Sequence, residues 1–221
     1  VDGSSYSKSV CEHAAWIAQR ADLSVELMHV LGRREAGGGG DLSGSIALGA
    51  RSQLLNELSE LDEQRAKLAL QRGRAILDDA KALLEAAGLA VKVHLRHGDL
   101  VEAIVQKQAE AELVLIGKRG EAADFAKEHL GSNLDRVMRA VDKPLFVAAQ
   151  EFRAIERVLV AFDGSPCANR AIEYVAGSPL YAGTQLKVVT FGSDTQTARA
   201  NLDTAKAVLA HAGRDAETEI R

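Results

Sequence analysis

A short segment that occurs twice constrains the fold of this chain more than any other feature of its sequence. Val1-Asp2-Gly3-Ser4 matches Phe162-Asp163-Gly164-Ser165, which lies 161 residues later in the 221-residue chain. The same offset places the apolar residues of segment 25–30 on those of segment 186–191. Because internal repeats decide the architecture of a chain, the sequence predicts two units built on one plan.

A second block of matches has a different offset. Ala80-Lys81-Ala82, followed by Gly88, matches Ala205-Lys206-Ala207, followed by Gly213, 125 residues later. The two offsets differ by 36 residues, which locates an insertion of helical composition in the first unit near residues 32–73.

The domain boundaries follow from comparing the two copies. The apolar, β-rich segment 155–162 precedes Asp163 and is typical of a buried strand, whereas a single residue precedes Asp2. We expect a first domain over residues 1–150 and the N-terminal half of a second over residues 151–221. Either a first strand and a final half-domain belong to a longer protein, or the chain is a natural one-and-a-half-domain protein with an exposed sheet edge.

Helical and strand periodicities alternate along the first domain. Helices are predicted where apolar residues recur every three to four positions, and strands where short apolar or alternating runs occur. The predicted elements are, in order, a helix over 7–21, a strand over 24–31, a helix over 45–87 broken near Gly73, a strand over 90–96, a helix over 100–110 capped by Asp99, a strand over 113–116, a helix over 133–141 and a strand over 145–148. This alternation predicts a Rossmann-like α/β fold, with a parallel sheet and helices on both faces, repeated twice with an incomplete second copy.

Composition and charge argue against several functional classes. Hydrophobic residues make up 47% and charged residues 26%, as in packed globular proteins, and the net charge of −4 argues against a dominant nucleic-acid surface. No apolar run reaches the length of about 18 residues that indicates a membrane-spanning helix. The two cysteines, Cys11 and Cys167, lie far apart and are expected to be free thiols in a reducing cytoplasm.

The segment with the clearest chemistry combines glycines with a helix start. Gly117 and Gly120 follow a predicted buried strand, and ten residues later Gly131-Ser132-Asn133 opens a helix. Glycines let backbone N–H groups approach an anion, and a helix N-terminus adds free donors, so the arrangement suits phosphate. The alternative is structural: the glycines shape a turn, and Ser132 caps the helix with Asp135 completing a capping box.

The sequence contains no recognisable catalytic or metal-binding constellation. The six histidines form no H-E-x-x-H motif and no cluster with cysteine. The serines of the two Asp-Gly-Ser segments belong to no G-x-S-x-G elbow, and Walker A and G-x-G-x-x-G sequences are absent. We therefore predict no catalytic residue and no metal ligand; enzyme activity stays open, with any ATP hydrolysis expected to be slow.

Taken together, these segments resemble the universal stress protein family. The resemblance rests on the two Asp-Gly-Ser segments, on Leu27-Met28-His29-Val30, and on Ile116-Gly117-x-x-Gly120 followed by Gly131-Ser132. The resemblance covers nearly the whole chain except the insertion. The chain is similar to the tandem type of the family, in which two domains pack as an internal pseudo-dimer. The ATP-binding branch of the family has nine residues between Gly-x-x-Gly and Gly-Ser/Thr, whereas this chain has ten.

The resemblance implies a role for each matching residue. Asp2, followed by Gly3, would contact the adenine or ribose end of a nucleotide, and Val30 would line the adenine pocket. The phosphates would be held by Gly117, Gly120, Gly131, Ser132 and Asn133. In the second domain only Asp163 and Gly164 carry over, with Phe191 as the bulkier counterpart of Val30.

The resemblance implies a cytoplasmic stress-response protein that binds ATP or a related adenine nucleotide, with or without magnesium. It would signal by conformation or by assembly, as an intramolecular pseudo-dimer or a homodimer. The alternative is a nucleotide-independent protein-interaction module of the same fold that acts through its pseudo-dimer surface. A third class, a nucleotide-using enzyme such as an adenylyl transferase, usually needs a metal or basic motif that the sequence lacks.

Overall fold

Helices and strands alternate along the chain in the computed structural model, which describes residues 1–32, 51–120 and 132–221. The elements are α1 (Ser7–Ala21), β1 (Val25–Leu31), α2 (Arg51–Ala86), β2 (Val91–His97), α3 (Leu100–Lys107), β3 (Val114–Gly117), α4 (Ser132–Ala140), β4 (Leu145–Ala148), β5 (Arg157–Ala161), α5 (Pro166–Gly177), β6 (Gln185–Thr190), α6 (Gln196–His211) and β7 (Ala216–Ile220). Single 3₁₀ turns follow α3 at Gln108–Glu110 and α5 at Pro179–Tyr181.

The described chain forms two compact units. One contains Val1–Ala18 and Ser24–Phe152, and the other contains Gln19–Leu23 and Arg153–Arg221. In the first unit β1 pairs with β2 and β3 pairs with β4, whereas in the second unit β6 lies between β5 and β7. All of these pairs are parallel, so the α/β class with a parallel sheet is confirmed.

The strand registers of the two units follow the offsets found in the sequence. In the first unit Val25 lies opposite Val91, and in the second unit Leu186 lies opposite Ala216. The offset of 161 carries Val25 onto Leu186, and the offset of 125 carries Val91 onto Ala216. A shift by one residue would turn every side chain of a strand to the other face, so this agreement places the same positions on the same face in both units.

The hydrophobic cores obey the same correspondence. The core cluster of the first unit contains one residue each of α1 and β1 and three of α2: Cys11, Leu27, Leu77, Ala80 and Leu84. At the two offsets their counterparts all belong to the core cluster of the second unit, and they are Ile172, Val188, Leu202, Ala205 and Leu209. Each core is therefore built by helices packing on the face of a parallel sheet.

The long helix α2 runs unbroken from Arg51 to Ala86, so the predicted break near Gly73 is wrong. A Cβ at Gly73 would lie 2.9 Å from His29 Cδ2 and 3.0 Å from Leu95 Cδ1. The glycine therefore serves the close approach of α2 to the strands β1 and β2, and the tertiary contact overrides its low helix propensity. The predicted first residues of this helix, 45–50, lie outside the described residues.

The predicted cap of α3 is confirmed. Asp99 Oδ1 accepts hydrogen bonds from the backbone N–H groups of Val101 at 2.9 Å and Glu102 at 3.2 Å. Its other oxygen, Oδ2, accepts a hydrogen bond from Arg136 at 2.8 Å. The α-helix ends at Lys107 and a 3₁₀ turn completes the stretch predicted as helix, a small difference at a helix end that frays into tighter turns.

Ion pairs between neighbouring strands occupy equivalent positions in the two units, with the signs exchanged. In the first unit Glu26 on β1 pairs with Lys92 on β2 at 3.5 Å and with His94 at 3.0 Å. At the same offsets the second unit has Lys187, which pairs with Glu217 at 3.0 Å and with Glu219. The cross-strand geometry is therefore kept while the polarity of the pair is reversed.

Basic neighbours lower the pKa of Glu26 in the first unit and of Glu219 in the second. A hydrogen bond from Lys107 is the largest cause that lowers the pKa of Glu26, with His94 contributing. Hydrogen bonds from Arg221 and then Lys187 lower the pKa of Glu219 from 4.5 to about 2.

Truncation of the fully buried leucine of α2 tests the core of the first unit. Because Leu84 is 0% exposed, Leu84→Ala should lower the free energy of unfolding by about 2–5 kcal/mol. The neighbouring Leu83 is 46% exposed, and Leu83→Ala should cost less than about 1 kcal/mol. Urea unfolding followed by the fluorescence of the single tryptophan, Trp16 in α1, reports on this unit. Equal costs for the two variants would contradict the core assignment.

Titration of Glu219 tests the ion pair of the second unit. We expect a carboxyl pKa of about 2 by carbon NMR, rising most in Arg221→Gln and less in Lys187→Gln, in the order of the two causes. Lys92→Gln, at the equivalent position of the first unit, should leave it unchanged. Because the folded pKa lies below the ordinary 4.5, the stabilisation is complete above that value and is lost as the pH falls towards about 2.

Candidate functional site

The loop after Val1 and the loop after β3 meet at one edge of the first unit. A Cβ placed on Gly120 would lie only 2.7 Å from Asp2 Oδ2, so the backbone of Gly120 packs directly on that carboxylate. The two residues are 118 positions apart in the chain. Two of the predicted site segments are therefore in contact, at the carboxyl end of a parallel strand, where ligands of open α/β sheets bind.

The Asp2 carboxylate is held by the turn that follows it. Its Oδ1 accepts hydrogen bonds from the Ser4 N–H at 3.0 Å and the Ser7 hydroxyl at 3.2 Å. Burial raises the pKa of Asp2, but the hydrogen bonds from Ser4 and Ser7 act in the opposite direction, and the pKa lies below 3.8. The carboxylate is therefore ionised at neutral pH and can act only as a hydrogen-bond acceptor.

The turn is possible because Gly3 adopts a positive φ of 77°, which a side chain would strain. Its position is also close to the long helix, since a Cβ on Gly3 would lie 2.9 Å from Ile76 Cδ1. Sequence reasoning missed this contact between the turn and α2. The same contact recurs in the second unit, where a Cβ on Gly164 would lie 2.4 Å from Asn201 Nδ2. The offset of 161 carries Gly3 onto Gly164, and the offset of 125 carries Ile76 onto Asn201.

Gly117 ends β3 against the residue that precedes α1. A Cβ there would lie 3.0 Å from Tyr6 Cβ and 3.2 Å from the carbonyl oxygen of Arg119. Beyond Gly117 the strand pairing continues through a hydrogen bond from Lys118 N–H to Ala148 O at 2.9 Å. Gly117 thus has a packing role whether or not a ligand binds, and Tyr6 is a neighbour of the site that the sequence did not indicate.

Val30 lies one residue before the end of β1 and is half-buried. The Val1 amino group donates to Met28 O at 2.9 Å, and Val1 O lies 2.8 Å from His29 Nδ1. These bonds place the start of the Asp2 turn beside the last residues of β1, so Val30 and Asp2 belong to the same edge of the first unit.

The phosphate-binding residues predicted beyond Gly120 are only partly described. Gly131 lies outside the described residues. Ser132 and Asn133 are the first two residues of α4, and Asn133 is exposed. Asp135, the predicted partner in a capping box, forms an ion pair with Arg139 at 3.1 Å on the same helix.

The second unit repeats the Asp-Gly-Ser turn in a more open form. Asp163 is exposed and its Oδ1 accepts a hydrogen bond from Ser165 N–H at 2.9 Å, as Asp2 does from Ser4. The residue that caps α5 is Ser165, whose hydroxyl accepts from Ala168 N–H at 3.2 Å. The serine of this turn, and not the aspartate, therefore caps the helix. Phe191 follows β6 and is 67% exposed.

Within residues 1–32, 51–120 and 132–221, no three histidine, cysteine or acidic side chains are grouped so that they could hold a metal ion. None of the helices in the same ranges is both long and apolar enough to cross a lipid bilayer.

The chain is similar to proteins of one family in sequence and in structure. A model described as "Universal stress protein family" matches residues 1–149. Universal stress protein Slr1230 from Synechocystis sp. is 37% identical over 224 residues, an alignment that covers 99% of this chain and 78% of that protein.

Solved structures show the same fold. A universal stress protein from Archaeoglobus fulgidus DSM 4304 aligns with a TM-score of 0.65 and 22% identity, covering 100% of this chain and 75% of the other. The hypothetical protein MJ0577 aligns with a TM-score of 0.52 and 20% identity, covering 69% of this chain and 94% of the other.

Replacement of the glycine in the open turn tests its backbone conformation. Because Gly164 has a φ of 76°, Gly164→Ala should destabilise the second unit by about 1–2 kcal/mol from backbone strain alone, with the Asn201 contact adding to it. Hydrogen-exchange protection of the β6 amides measures this. Adding Asn201→Ala should relieve the contact but not the strain. Gly177→Ala is the control, since no heavy atom lies within 4 Å of its added Cβ. No loss of protection in Gly164→Ala would refute the strain.

Proposed function

The chain belongs to the universal stress protein family, and from this premise we propose that its first unit binds ATP or a related adenine nucleotide at the edge where Asp2 meets Gly120. The observation that carries the proposal is the contact of the Asp2 carboxylate with the Gly120 backbone, at the carboxyl end of β3. The contact joins the segment of Asp2 to the segment of Gly120. The resemblance to the family gives Asp2 the adenine or ribose end of the nucleotide and Gly120 the phosphates.

The state of Asp2 supports a role at the adenine or ribose end. An ionised carboxylate accepts hydrogen bonds from ribose hydroxyls or from the adenine amino group, which are donors. The hydrogen bonds from Ser4 and Ser7 keep this group ionised and fix its orientation before any ligand arrives. Val30, half-buried at the end of β1, is an apolar wall for the base, and Gly3 lets the turn form.

Glycines and a helix start support binding of the phosphates. Gly117 and Gly120 bring no side chain of their own that would shield the backbone N–H groups of the β3 loop, and Lys118 between them is exposed and positively charged. Ser132 and Asn133 stand at the N-terminus of α4, where free N–H groups and the helix dipole favour negative charge. Gly131, which precedes this helix in the sequence, is the last member of the proposed phosphate-binding residues.

Magnesium would enter with the nucleotide, held by phosphate oxygens. We expect ATP hydrolysis to be slow, because no group in this set is positioned as a dedicated base. Signalling would then follow from the bound state itself, through conformation or assembly.

The proposal extends to the whole chain. We propose a first domain over residues 1–150 and the beginning of a second over residues 151–221, related as tandem copies in a cytoplasmic stress-response protein. The registers and core positions that share the offsets 161 and 125 support this arrangement. Asp163 and Gly164 would then be the second domain's counterparts of Asp2 and Gly3.

One observation favours the second candidate function, a protein-interaction module that needs no nucleotide. The inserted part of α2 exposes several leucines, including Leu54, Leu61 and Leu68. Exposed apolar residues in a regular row are typical of contact surfaces. The two functions are separable by experiment, since only one of them requires the Asp2 edge.

Calorimetric titration with ATP and magnesium tests the proposed site. Because hydrogen bonds to charged groups contribute about 1.5–3 kcal/mol, Asp2→Asn should weaken binding roughly 10- to 100-fold. Asp163→Asn removes the charge from the equivalent turn of the second unit and should leave the affinity unchanged. Gly120→Val should abolish binding because a Cβ there would lie 2.7 Å from Asp2 Oδ2, and Gly131→Val should block the approach of the phosphates. Gly177→Val is the control at an open position.

Each outcome separates the alternatives. All variants must first show wild-type far-ultraviolet circular dichroism. Loss in Asp163→Asn but not in Asp2→Asn would move the site to the second unit. No binding by the wild-type chain would reject the nucleotide proposal and favour the interaction module.

A further inference from the structure

The first half of α2 carries an apolar row that the proposed nucleotide site does not use. Leu54, Leu61 and Leu68 recur every seven residues and are 39%, 48% and 64% exposed. Seven residues are close to two helical turns, so the three side chains lie along one side of the helix. Farther along the same helix the leucines Leu77 and Leu84 are buried in the first unit, which places the exposed row outside that core.

The charges of the same stretch are sorted by sign. The acidic block, residues 57–63, contains no basic residue, and the basic block, residues 65–74, contains no acidic one. The acidic members are Glu57, Glu60, Asp62 and Glu63, and the basic members are Arg65, Lys67, Arg72 and Arg74. One ion pair within the helix, Asp62 with Arg65 at 3.8 Å, lies where the blocks meet.

This order of charges is complementary to itself when two helices run in opposite directions. In an antiparallel pair the acidic block of each helix lies beside the basic block of the other, whereas a parallel pair places like charges together. A two-fold axis requires this kind of surface, in which residue i meets residue j and j meets i. A partner of different sequence would need no such arrangement, so the charges favour a second copy of this chain.

We propose that residues 57–72 of α2 pair with the same segment of a second copy as an antiparallel two-helix seam. Centring the pair between Gln64 and Arg65 places Leu61 of one copy beside Leu68 of the other. The same centre sets segment 57–63 of one copy against segment 66–72 of the other. Leucine burial supplies the attraction, and the charges select the direction and the partner. The inference is independent of nucleotide binding.

Sedimentation equilibrium of the wild-type chain and a leucine variant tests the apolar part. The wild-type chain should self-associate, and Leu61→Ser with Leu68→Ser should raise the dissociation constant more than about 100-fold, because four leucine side chains leave a small interface. Leu83→Ser replaces an exposed leucine of the same helix outside the row, and it should leave the constant unchanged. Circular dichroism and Trp16 fluorescence establish that each variant folds.

Charge exchange tests the direction. Asp62→Lys with Glu63→Lys places basic residues on both sides of the centre, and Arg65→Glu with Lys67→Glu places acidic residues on both sides, so each double variant should associate at least about tenfold more weakly. The chain that carries all four changes exchanges only the inner charges, on both sides of the centre. An antiparallel pair of such chains stays complementary and should recover self-association. A parallel seam predicts no such recovery.

Three results overturn the proposal. The first is a wild-type chain that stays monomeric over the whole concentration range. The second is self-association that survives the leucine variant unchanged. The third is a four-change chain no tighter than the double variants. Capture of a different protein by the leucine row, without self-association, would also count against a second copy.

Discussion

The packing of helices on the face of a parallel sheet is the interaction on which the rest of each unit depends. Leu84 of α2 and Leu209 of α6 are 0% exposed, and both belong to the cores that also hold Leu27 and Val188 of the strands. Burying this apolar face is the main favourable term in folding each unit. It also fixes the strand register, because a slip by one residue would turn the core side chains outward.

The candidate site follows from that register. Once β1 is fixed, the hydrogen bond from Val1 to Met28 O sets the start of the Asp2 turn, and Phe162 makes the equivalent bond to Val189 O at 2.8 Å. The turn then lies at the carboxyl edge of the strands, where Gly120 arrives from the end of β3. The functional residues are few and lie in loops, but their positions are set by buried residues that touch no ligand.

Away from the core, the two units keep geometry and change chemistry. The pair Glu26–Lys92 becomes Lys187–Glu217 with the signs exchanged, and Ile76 becomes Asn201 beside the glycine of the turn. Exposed ion pairs contribute little to stability in either polarity, so nothing in the fold selects one sign over the other. In the first half of α2, Leu54, Leu61 and Leu68 are exposed and lie outside the core cluster of the described first unit.

The sequence by itself determined the α/β class, the order of the elements, the two offsets and the cap at Asp99, because periodicity, capping and repetition are properties of neighbouring residues. It also indicated Asp2, Gly117 and Gly120 as one set, but only as matches to a family pattern. The tertiary structure alone decided that Asp2 and Gly120 touch, since their distance depends on every element folded between them. It also decided that α2 passes Gly73 unbroken, where helix propensity predicts a break. The physical reason is the same in both cases: close approach between elements is set by packing across the core, and local sequence carries no record of it.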